Sequence, residues 1–172
     1  MDKLYLWVVK HRNPLVRAFV IFNCFLAVVW FLAFQAIVIE IGDPAWFYRY
    51  AKIFGQTALV LFILTSIPGI FRRFGMFSKP VSVLMIFRRW IGTATFMFAF
   101  LHASIERLFG LVKGQTISAE VFQLFGFLAL FLLFSLFVTS NDWSVRRLGP
   151  WWDRIHNLTY AIIWLLFVHV AF

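Results

Sequence analysis

The stretch RIHNLTYAIIWLLFVHVAF, residues 154–172, carries two histidines, His156 and His169, in a run that is otherwise almost wholly apolar. A segment this apolar is suited to hydrocarbon, where polar side chains are costly and mark function. The rest of the chain has the same character. Of 172 residues, 63% are hydrophobic and 13% charged. A soluble domain of this length has no use for so much apolar surface, so the composition reads as an integral membrane protein. The net charge of +9 does not point to nucleic acid, because the basic residues cluster between apolar runs, as membrane topology requires. The single cysteine, Cys24, excludes an internal disulfide or a thiolate metal cluster.

A hydrocarbon core of roughly 30 Å takes about 20 helical residues to cross. Five segments meet this length: Val16–Ile41, Ala51–Ile70, Arg89–Leu108, Val121–Ser140 and Ile155–Phe172. The connectors EIGDPAW, SIPGIFRRFGMFSKP, LVKGQTISAE and SNDWSVRRLGPWWDR hold the helix breakers, and no internal repeat is evident. The start, MDKLYLWVVKHRNPLVRAF, lacks an Ala-x-Ala cleavage site, and the apolar run after it is too long for a signal peptide. It reads as a retained first helix. The expected architecture is all-α, one membrane domain over residues 1–172, a bundle of about five transmembrane helices.

Lys3, Lys10, Arg12 and Arg17, then Arg72, Arg73, Lys79, Arg88 and Arg89, then Arg146, Arg147 and Arg154 fall on one side of that bundle. The other side has only Arg49, Lys52, Arg107 and Lys113. The positive-inside rule then places the N-terminus in the cytoplasm and the C-terminus outside. Trp46, Tyr48 and Tyr50 outside, with Trp90, Trp143, Trp151 and Trp152 inside, form the expected interfacial belts.

The four histidines are His11, His102, His156 and His169. Arg89 precedes His102 by thirteen residues, as His156 precedes His169. If Arg89 and His156 both mark the cytoplasmic edge, His102 and His169 each lie roughly 20 Å above it on parallel helices. Two neutral imidazoles at one depth suit the two axial positions of a haem iron. His156 and His169 are about 140° apart around an ideal helix and in opposite leaflets, so they belong to two different sites. The same pattern also suits a pigment protein with one histidine per chlorophyll. It suits equally a transporter or assembly subunit whose histidines only pack.

The strings around these residues resemble a known family. RRWIGTATFMFAFLH reads Arg-Arg-x-x-Gly, eight residues, then Leu-His102. TSNDWSVRRLGPWWDRIHNLTY places a basic-Leu-Gly-x-x-Trp run before His156-Asn, with FVH ending at His169. Both resemble the ferric reductase-like transmembrane domain, closest to its MsrQ branch, the haem-binding membrane subunits of bacterial periplasmic methionine-sulfoxide reductase systems. GQTAL and TSIP, between Gly55 and Pro68, are a weaker echo. The likeness is clearest over residues 55–172. It implies b-type haem, about six helices and a bacterial inner-membrane location. It also implies electron passage from a cytoplasmic flavin reductase or membrane quinol to a periplasmic acceptor. Haem-ligand roles fall on His102, His156 and His169, and a cytoplasmic basic pair on Arg88 and Arg89.

No glycine-rich nucleotide fingerprint occurs in these residues, so electrons are expected from a separate donor. His156, at the inner level, is expected to support a second cofactor site of unequal ligation, or a flavin (FMN) or quinone headgroup. Arg88, Arg89, Arg146, Arg147 and Arg154 are expected to form an anion-binding rim beside it.

Overall fold

A computed structural model describes residues 2–39, 44–76, 78–112 and 120–171. Among the described residues the chain is helical, without strands, and five helical spans are long and apolar enough to cross a membrane: Arg12–Ile37, Trp46–Arg73, Lys79–Arg107, Val121–Val138 and Pro150–Ala171. The connector residues 40–43 and 113–119 lie outside the described residues. The chain divides into two compact units, Met1–Ile105 and Glu106–Phe172.

The first unit opens with the short helix α1, Asp2–Lys10, followed by α2, Arg12–Val38. Pro14 sits in the first turn of α2, where its missing N–H costs nothing. Helix α3, Pro44–Arg73, starts on a second proline at N1 and runs well past the end expected for it at Ile70. Pro68 and Gly69 do not stop it. Pro68 is fully buried, and one turn earlier Thr65 and Ser66 both donate hydroxyl protons to the Phe62 carbonyl at 2.8 Å. The helix stops at Gly75 instead, at φ 67. There Met76 N–H reaches back to Phe71 O at 2.9 Å and Gly75 N–H to Arg72 O at 3.1 Å, a Schellman termination. Arg72 and Arg73 in this last turn oppose the negative end of the helix dipole.

Helix α4, Lys79–Val112, follows and touches both α2 and α3. Against α2 it sets Phe87 on Phe19 at 5.5 Å and Phe100 on Trp30 at 5.3 Å, and Ser104 Oγ accepts from Trp30 Nε1 at 3.1 Å. Against α3 it sets Phe98 on Phe54 at 5.9 Å. Leu26, Ile37, Ala51, Ala58, Phe62, Ala94, Phe96 and Leu101 are buried here, while Ile21, Phe31 and Val60 are exposed. Large apolar side chains on the outside are what hydrocarbon solvent permits.

In the second unit α5, Val121–Val138, packs along α8, Thr159–Ala171, burying Ala129, Leu133 and Ile162. The segment between them, read from sequence as a connector, forms two further helices, α6, Asp142–Leu148, and α7, Pro150–His156. Asn141 caps α6 by accepting Ser144 N–H at 2.8 Å. Gly149, at φ 51 and ψ −123, turns the chain, and Pro150 restarts it at N1. A turn at Asn157 and Leu158 then separates α7 from α8. His156 therefore ends one helix, and His169 sits in the last turn of the next. The 140° separation expected for one unbroken helix does not apply to them.

Candidate cofactor-binding histidines

Each histidine is set by a different neighbourhood. His102 is half-buried on α4 and faces α3, where its Nδ1 lies 2.9 Å from the Ala51 carbonyl. A carbonyl only accepts, so Nδ1 carries the ring proton and the neutral ring keeps its lone pair on Nε2. His169 is half-buried on α8 and faces α5, with Nδ1 2.8 Å from the Phe122 carbonyl. The same reasoning gives it the same tautomer. A backbone carbonyl on Nδ1 is the usual outer partner of an imidazole that binds metal through Nε2, and it makes that nitrogen a better donor.

The likeness extends to the residue beside each carbonyl. In an α-helix a carbonyl receives the amide of the residue four positions later. That residue is Gly55 for Ala51 and Gly126 for Phe122. A Cβ at Gly55 would stand 3.0 Å from His102 Nδ1 and 3.2 Å from Cε1. At Gly126 it would stand 2.7 Å from His169 Cε1 and 2.8 Å from Nδ1. Both glycines open into FGxxAL, Phe54–Leu59 and Phe125–Leu130, and both histidines close a Phe-x-His triplet. A short internal repeat is thus present where none was evident from the sequence.

His156 is built differently. Its Nε2 lies 3.2 Å from Thr139 Oγ1, and that hydroxyl gives its own proton to the Ser135 carbonyl at 2.8 Å. With the hydroxyl proton on that carbonyl, the imidazole donates from Nε2, the opposite tautomer. Its ring stacks on Trp152 at 3.9 Å, and Trp152 Nε1 donates to the Thr139 carbonyl at 2.9 Å. His156, Trp152 and Thr139 together tie α7 to the C-terminal end of α5. His11 bonds within its own helix end, with Nδ1 2.8 Å from Trp7 O and the two rings stacked at 4.6 Å.

Arg88 and Arg89 lie half-buried on α4 in the first unit. Arg146, Arg147 and Arg154 are exposed in the second, and the Arg154 guanidinium lies 4.6 Å over the Trp151 ring. Arg107, read from sequence only as a charge on the outer side, donates to Gln123 Oε1 at 2.7 Å and covers the Phe127 ring at 4.7 Å. Gly55, Gly126 and Thr139 were missed as well. The signal for the glycines was the FGxxAL string in two spans. Thr139 opens the TSNDWSVRRLGPWWDRIHNLTY string, but its contact with His156 depends on the turn that brings α7 back. Among the described residues no three His, Cys, Asp or Glu side chains group as a metal site.

Comparison with known proteins places these features in context. Residues 53–167 match the family described as ferric reductase like transmembrane component. The chain is similar to the protein-methionine-sulfoxide reductase heme-binding subunit MsrQ of Brucella anthropi, 37% identical over 84 residues, which are 45% of this chain and 37% of that protein. It is similar to the subunit of the same name from Agrobacterium fabrum, 31% identical over 86 residues, 46% of this chain and 40% of that protein. For Brucella ovis the values are 34% over 87 residues, 46% and 39%. The chain thus spans about two fifths of the length of these relatives. No solved structure matches.

Proposed function

Since the chain belongs to the family of ferric reductase like transmembrane components, we propose that it is a haem-binding membrane subunit that passes electrons across a bacterial inner membrane. The observation that carries this reading is the shared state of His102 and His169. Each gives its Nδ1 proton to a helix carbonyl and so carries its lone pair on Nε2, the nitrogen that would ligate a metal. Each of the two rings fits haem iron, which takes a neutral imidazole through Nε2 and brings four nitrogen ligands of its own. A b-type haem ligated by these histidines would supply a one-electron carrier inside the apolar spans.

The residues of the chain do the remaining work. Ala51 and Phe122 hold the ligand tautomers through their carbonyls. The aromatic side chains Phe54 and Phe98 meet across the α3–α4 contact. Arg88 and Arg89, in the cytoplasmic orientation that the loop charges favour, supply cations for propionates or a flavin phosphate. His156, whose Nε2 meets Thr139, would support a second cofactor on the cytoplasmic side, FMN or a quinone headgroup. The donor in this reading is a cytoplasmic flavin reductase or membrane quinol, and the acceptor is a periplasmic methionine-sulfoxide reductase catalytic subunit. The names of the similar proteins favour that acceptor.

A visible spectrum of the purified protein tests the proposal. A Soret band that shifts on dithionite reduction is expected. Purified, folded protein that takes up no haem on reconstitution would leave a non-redox role, with histidines that only pack.

A further inference from the structure

The two helix pairs α3–α4 and α5–α8 solve one steric problem in the same way. A helix carbonyl has a second lone pair beyond its ladder bond, but the Cβ of the residue four positions later normally shields it from an incoming side chain. At Ala51 and Phe122 that later residue is glycine, and an imidazole lies in the space. Glycine in the middle of a helix costs about 1 kcal/mol relative to alanine, so its presence needs a compensating role. Gly92 shows that helical glycine in this chain does not always have this one, because a Cβ there meets nothing within 4 Å.

We infer that Gly55 and Gly126 are positioning residues that seat the rings of His102 and His169 on the Ala51 and Phe122 carbonyls, one duplicated device that fixes the tautomer and aim of two metal-binding imidazoles. The pair of sites is unequal. The Gly126 seat is the tighter, since its distances of 2.7 and 2.8 Å are shorter than any real Cβ contact tolerates, whereas 3.0 Å at Gly55 is relieved by a shift of tenths of an ångström. In both cases the crowded atoms belong to the end of a histidine side chain. Alanine therefore moves the imidazole and leaves the helix in place. The link to haem rests on the function proposed above; the seating of the rings does not.

The experiment uses the full chain in nanodiscs with 15N-labelled histidine, as the wild type and as Gly126→Ala, Gly55→Ala and Gly92→Ala. In wild-type apoprotein, ring 15N shifts are expected to show His102 and His169 protonated on Nδ1 and His156 on Nε2. Gly126→Ala is expected to move the His169 signals and lower haem retention about 10- to 100-fold, the usual effect of losing an outer partner of a metal ligand. Gly55→Ala should change His102 in the same direction by less, and Gly92→Ala should match wild type in both readouts. If wild-type His102 and His169 prove protonated on Nε2, the inference falls without recourse to any variant. It falls equally if Gly126→Ala and Gly55→Ala both keep wild-type shifts and wild-type haem retention. Wild-type protein with Nδ1–H rings that move in the glycine variants, but with no haem uptake, supports the seats and overturns the proposed function instead.

Discussion

The Nε2 of His156 lies 3.2 Å from the hydroxyl of Thr139, the opposite ring nitrogen from the one by which His102 and His169 bond to the backbone. Thr139→Val keeps the shape of this contact and removes the acceptor. A half-buried N–H that loses its partner costs about 1–3 kcal/mol. The variant should melt at lower temperature than wild type, while the haem spectrum, which the proposed function assigns to His102 and His169, stays the same. A changed haem spectrum with an unchanged melting temperature would mean that Thr139 serves the cofactor and not the α5–α7 junction.

Replacing either His102 or His169 with Ala should abolish the low-spin haem signal or convert it to high spin. The measurement is low-temperature EPR on purified, reconstituted protein. Two single variants that each retained a bis-histidine signature would show that this pair does not supply the axial ligands. His156→Ala should leave that signature intact and slow reduction by quinol or by the cytoplasmic donor.

Arg88→Gln and Arg89→Gln test the basic pair. Both side chains are half-buried on α4. Each variant should insert normally and slow haem reduction by a cytoplasmic donor several-fold, without moving the Soret maximum. Stopped-flow reduction compared with dithionite end points checks this. Rates equal to wild type in both variants would reduce the pair to plain topology signals.

Gly149→Ala addresses the junction between α6 and α7. The backbone there has φ 51 and ψ −123, a region open to glycine and strained for any residue with a Cβ by about 1–3 kcal/mol. The variant should unfold at lower temperature than Gly92→Ala, whose site is open. Because His156 ends α7, its 15N signals should shift while those of His102 stay in place. Unchanged stability would mean that this turn relaxes to another conformation.

The amino-acid sequence by itself determined the membrane character and the five spans, because apolarity over about 20 residues is a local property that any segment carries alone. It also singled out His102, His156 and His169, since polar groups stand out against an apolar run. It misjudged the ends of elements where the decision is not local. Pro68 reads as a breaker, yet it lies buried inside α3, and Gly75 ends that helix through its backbone angles. The segment from Ser140 to Arg154 reads as a connector, yet Asn141 and Pro150 start two helices in it. The chemistry of the histidines was decided by tertiary structure alone. Which ring nitrogen keeps its proton depends on an acceptor tens of residues away, Ala51 for His102, Phe122 for His169 and Thr139 for His156. Hydrogen bonds are short and directional, so composition and spacing carry no trace of them until the helices pack. The FGxxAL repeat was in the chain throughout, but it took on meaning only when two imidazoles were found lying against its glycines.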